Sequence, residues 1–175
     1  MRSKILRGIL VAAILALGLC AFAVRADEAA GPGSALKDDL IEKLAGDWRI
    51  SRLHDGKVSR HTLQAEWVLN HQFLMLHMKH LADPPEYEAL VLIGYDPARK
   101  LYLAHWCDTF GGQFSALGTG KRTGDAIEFT FQYPDGPFHN TFTWNPKAKG
   151  WTFKGEADGK DGKRVLFAED TLRRP

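Results

Sequence analysis

Ile127-Glu128-Phe129-Thr130-Phe131-Gln132-Tyr133 places apolar side chains at every second position, with polar ones between them. Successive strand residues point to opposite faces, so this run is a β-strand with one dry side and one wet side. The same two-residue rhythm extends in both directions. Leu63, Ala65, Trp67 and Leu69 alternate against Gln64, Glu66 and Val68. Tyr87, Ala89, Val91, Ile93 and Tyr95 alternate against Glu86 and Glu88, and Trp151 and Phe153 oppose Thr152 and Lys154. In 71–81 both faces are apolar, which predicts a cover on the outside of that strand.

About ten short strands follow from this pattern. They are expected at 46–53, 57–69, 71–81, 86–95, 100–108, 112–118, 125–133, 137–144, 150–157 and 163–173. Turn formers separate them, among them Asp55-Gly56, Asp96-Pro97, Gly124-Asp125 and Asn145-Pro146. Before them, Ser34 can N-cap a short amphipathic helix over 35–44, with Leu36, Leu40, Ile41 and Leu44 on one stripe. No later stretch is apolar-periodic enough for another core helix. The predicted fold is therefore all-β, an antiparallel up-and-down barrel of about ten strands with the helix capping one end. A barrel of that size is wide enough to keep an interior cavity.

A chain of 175 residues holds one such domain, expected over 35–175. Residues 1–26 read as a cleaved export signal: Arg2, Lys4 and Arg7, an apolar run from Gly8 to Ala23, then Val24-Arg25-Ala26. That run is too short for a stable membrane span. Residues 27–34 form a polar, Gly/Pro-containing leader. The whole chain has 23 basic and 21 acidic residues. Loss of Arg2, Lys4, Arg7 and Arg25 leaves 19 basic residues against the same 21 acids, a balance that speaks against nucleic acid or an anionic membrane as partner. The expected location is the periplasm or the extracellular medium. Cys20 leaves with the signal, and Cys107 alone remains, expected as a small buried hydrophobe.

Gly46-Asp47-Trp48 has the Gly-x-Trp arrangement with which lipocalin-type barrels open. Arg173, near the end of the last strand, is placed to lay its guanidinium over that indole. Ile93-Gly94-Tyr95-Asp96, then Tyr102, Trp106-Cys107-Asp108, Gly111, Gly118 and the closing Thr171-Leu172-Arg173 carry a second likeness. On these residues the chain resembles an uncharacterised bacterial family, domain of unknown function 1579, whose members resemble lipocalin-like (calycin) barrels. The likeness spans roughly Leu36 to Arg174. It departs at Asn70-His71-Gln72-Phe73-Leu74, where the family has a Gly-Arg-Phe-Leu-like segment. The resemblance implies a fold and no activity.

Inward aromatic groups with a few polar ones suit a small apolar or aromatic guest. The candidate lining residues are His61, Trp67, Tyr95, Trp106, Asp108, Phe129, Asn140 and Trp151, with Gly46, Trp48 and Arg173 as structural closure. Trp106 beside Asp108 could hold a ligand by stacking and a charge-assisted hydrogen bond, or be core beside a turn cap. A second class is an isomerase or hydrolase using Asp108 with His61 or His105 as acid and base. A haem barrel is a third, since seven histidines are present, although Cys-x-x-Cys-His is missing. No metal set with cupin-type spacing occurs. Gly118-Thr119-Gly120-Lys121-Arg122-Thr123-Gly124 resembles a phosphate loop only superficially, with Arg122 where Ser or Thr is needed, and is expected to be a hairpin turn.

Overall fold

Alternating side chains on ten strands bury one face only if the sheet closes on itself, and it does. A computed structural model describes Gly33 and residues 35–175. The strands are β1 (Gly46–His54), β2 (Lys57–Val68), β3 (Phe73–His80), β4 (Glu88–Asp96) and β5 (Leu101–Asp108). They continue as β6 (Ala116–Thr123), β7 (Ala126–Tyr133), β8 (Gly136–Asn145), β9 (Gly150–Asp158) and β10 (Arg164–Arg173). Each pairs antiparallel with the next, and β10 returns to β1 with Ile50 opposite Leu172 and Arg52 opposite Asp170. Closure leaves no sheet edge open for pairing with another chain. The segments expected as export signal and leader, apart from Gly33, lie outside the described residues, as does Ser34.

Most of the expected faces are observed, except that Leu69, past the end of β2, and Tyr95 are exposed. Leu63, Ala65, Ala89, Val91, Ile93, Ile127, Phe129 and Phe131 are all buried. In β3 the inner set Leu74, Leu76 and Met78 is buried, while Phe73, Met75 and His77 are half-buried outside.

Two expected elements are corrected. The helix over 35–44 is only a 3-10 turn, Ile41–Leu44. The Asp38 carboxylate takes the capping role, accepting from Leu40 N and Ile41 N at 2.8 Å each, while Tyr102 donates to the same carboxylate from the barrel wall. Just upstream, Leu36 N bonds the His71 carbonyl at 2.9 Å, which draws the chain out of helical geometry. The turn covers no strand from outside; Leu40, Ile41 and Leu44 instead plug one barrel end, with Trp48 and Trp151 in the same core. The sixth strand is the other correction. It runs 116–123, not 112–118, so Gly118-Thr119-Gly120 is strand and the turn falls at Gly124, whose φ is +58°.

The cation over Trp48 is Arg174, not Arg173. Its guanidinium lies 3.7 Å from the indole centroid and donates to the carbonyls of Ala45 at 2.8 Å and Lys43 at 3.3 Å. Those carbonyls end the 3-10 turn and lack partners within it. Gly46 lets the arginine approach: its φ is +101°, and a Cβ there would collide with the guanidinium. Arg173 points outward and bonds the Ala148 carbonyl. Arg174→Ala is therefore expected to cost about 1–2 kcal/mol of stability in urea denaturation. Arg173→Ala should stay within about 0.5 kcal/mol, and equal losses would refute the assignment.

Candidate functional site

The barrel is solid at the Trp48 end and hollow at the other. β1 runs from Trp48 toward Arg52 and His54, and both of these border a cavity of about 610 Å3. Trp106 stacks on Phe153 with centroids 5.7 Å apart, and Phe153 stacks on Phe142 at 4.6 Å. Both Trp106 and Phe153 face the space, with Phe142 behind them in the core. At the mouth Phe110, Phe114 and Phe167 are 61%, 38% and 48% exposed, an aromatic rim open to solvent.

Polar groups interrupt this apolar lining at a few places. His61 is buried, its Nε2 2.9 Å from Ser59 Oγ and its ring 4.8 Å from that of His80. Burial, then the Arg52 and His80 charges, hold its pKa down to about 4, so the imidazole is neutral at pH 7. Trp106 Nε1 donates to the Tyr87 hydroxyl at 3.3 Å, and that hydroxyl donates to Asp108 Oδ2 at 3.4 Å. Burial and the nearby Asp108 push the Tyr87 hydroxyl up to about 12, so it keeps its proton. Asp108 also caps the following turn, its Oδ1 accepting from Phe110 N at 3.0 Å. His61 Nδ1, His80 Nδ1 and Asn140 Oδ1 are buried without hydrogen-bond partners, and all three residues line the cavity. Three such atoms around one space are unusual, because buried polar atoms are normally paired with protein or water.

Four of the eight candidate residues line this space: His61, Trp106, Asp108 and Asn140. The other four do not. Phe129 and Trp151 are packed into the solid half, and Trp151 Nε1 reaches the Lys43 carbonyl at 3.4 Å. Trp67 stacks on His71 and donates to Glu42, and Tyr95 is exposed, edge-on to Tyr102. His105, offered as a partner for Asp108, stands on the outer wall with Nε2 3.2 Å from Ser115 Oγ. Cys107 is exposed beside it, not buried. Among the described residues no three His, Cys, Asp or Glu side chains converge to hold a metal ion.

Arg52, His80 and Tyr87 also line the space and were not among the candidate residues, and Asp170 lies behind Arg52. Arg52 Nε and Nη2 donate to the two oxygens of fully buried Asp170 at 2.8 and 2.7 Å. The signal was present: Arg52 is in phase with Trp48 and Ile50, and Asp170 with Leu172. Barrel closure makes the inner faces of the first and last strands neighbours, and the register then sets Arg52 opposite Asp170. A smaller depression of about 430 Å3 lies along β6 to β8, lined by Thr119, Glu128, Thr130 and Thr141 among others. None of the three unpartnered atoms belongs to its lining.

Compared with known proteins, the sequence model of one family, described as a protein of unknown function (DUF1579), matches residues 37–174. No curated protein matches the chain.

Proposed function

The chain belongs to this family, which carries no assigned activity, and we propose that it is an exported, lipocalin-like barrel binding one small, largely apolar or aromatic molecule in its hollow half. The observation that carries the proposal is the cavity of about 610 Å3, walled by Trp106, Phe153 and the rim phenylalanines and bordered by His61, His80 and Asn140, each of which holds a buried polar atom without a partner. A guest would stack between Trp106 and the rim phenylalanines, whose exposure otherwise costs hydrophobic free energy. The Gly46-Asp47-Trp48 opening, the arginine over its indole and the strictly consecutive strand order support the lipocalin-like label. Export rests on residues 1–26, and the secreted form should begin at Asp27.

Native mass spectrometry of protein purified from its own host is expected to show a co-purifying small molecule. Nile red, a neutral apolar dye, should bind with one-to-one stoichiometry, and Ala157→Trp, which puts an indole into the mouth, should abolish it. Absence of both an adduct and dye binding would overturn the carrier function.

A further inference from the structure

Charge at the mouth of the cavity is one-sided. Glu86, Asp108, Asp135 and Asp158 border it, against Arg52 as the only Lys or Arg of its lining among the described residues. Arg52 is already matched, since both oxygens of buried Asp170 take its Nε and Nη2 donors. Asp158 is partly answered by His139 Nε2 at 3.0 Å, and His80 Nδ1 stands 3.8 Å from Glu86. Asp135 is exposed and, like Asp108, has no ion-pair partner among the described residues; of the two, only Asp108 is half-buried. Its two oxygens accept only from Tyr87 and from Phe110 N, both neutral, and it has no cationic partner among the described residues. Asn140 Oδ1, in a residue only 5% exposed, is an acceptor with nothing donating to it.

We propose that the guest is an organic cation, an aromatic or apolar body carrying a protonated amine or similar hydrogen-bond donor; this rests on the carrier reading above. Its positive group faces the Asp108 carboxylate. The aromatic lining suits the same guest, because Phe, Tyr and Trp faces attract a cation as well as an apolar surface. A carboxylate-headed guest such as a fatty acid meets the reverse arrangement. It finds unmatched negative charge, and the one guanidinium present is already held by a buried carboxylate.

Three probes with the same naphthyl body separate the possibilities: 2-(1-naphthyl)ethylammonium, 2-(1-naphthyl)ethanol and 1-naphthylacetate. Isothermal titration at pH 7.5 and low salt should find the ammonium bound about tenfold more tightly than the alcohol. The acetate should bind most weakly of the three. Added salt should narrow the gap between ammonium and alcohol, and Asp108→Asn, an isosteric change, should nearly close it. An acetate preference, or an ammonium preference untouched by both Asp108→Asn and salt, overturns the cation inference and leaves the carrier reading standing. Binding of none of the three, with no Nile red uptake, overturns both.

Discussion

Asp170→Ala should lower the stability of the folded barrel by about 3–5 kcal/mol, because it strands a buried guanidinium. The Asp170 side chain is fully buried and that of Arg52 is 13% exposed, between the core layer of Ile50 and Leu172 and the cavity floor. Without its carboxylate the guanidinium keeps one described contact of note, the Tyr87 ring 4.9 Å away, which is worth far less than the lost pair. The pair also spans the seam where the last strand meets the first, with Arg52 opposite Asp170 in register. Loss of the carboxylate should therefore open β1 and β10 before the other strands. Amide exchange would show this as faster exchange confined to the seam, and urea denaturation would give the free energy. Replacing both partners, Arg52→Met with Asp170→Leu, should recover most of the loss, since a buried ion pair seldom outperforms apolar side chains of similar volume. A loss below about 1 kcal/mol for Asp170→Ala would mean that water reaches the guanidinium and that the seam is not dry.

The two-residue rhythm identified inward faces well, because a one-residue slip would turn every apolar side chain outward. It says nothing about height along the barrel axis, and there the site residues divide. In an up-and-down barrel whose first strand starts at the plugged end, odd strands start at that end and even strands finish there. His61 is early in β2, Asn140 early in β8, and Trp106 and Asp108 late in β5, which puts all four in the hollow half. Trp67 ends β2, Tyr95 is late in β4, and Phe129 and Trp151 are early in β7 and β9, which puts them toward the plug. The direction of each strand, combined with the Gly46-Asp47-Trp48 marker, would have sorted them from sequence. Two features had no such signal. The Tyr102 hydroxyl holding Asp38, and so shortening the helix, is a contact between residues 64 apart. The hollow itself depends on how far the stacked Trp106, Phe153 and Phe142 rings reach across the barrel, which alternation does not encode.

Gly118→Val should cost about 3 kcal/mol, the upper part of the range for overfilling a close-packed core. Gly118-Thr119-Gly120 resembles a turn because its inward positions carry no side chain, and the reason is on the neighbouring strand. A Cβ at Gly118 would sit 2.7 Å from the Phe131 ring, and one at Gly120 would sit 2.6 Å from Phe129. The two phenylalanines of the opening motif thus fill space that β6 leaves empty, and the glycines and aromatics form one packing unit. Phe131 cannot yield freely: it is 1% exposed, edge-on to Trp106 at 6.2 Å and stacked on Tyr133 at the same distance. Displacing it should push Trp106 toward the cavity, so the variant should weaken Nile red binding as well as lower the urea midpoint. Phe131→Leu removes the ring, and the double variant Gly118→Val with Phe131→Leu should be more stable than the sum of the two single losses by at least about 1 kcal/mol. Strict additivity would show that the valine finds room elsewhere, and that backbone placement rather than ring volume fixes glycine in β6.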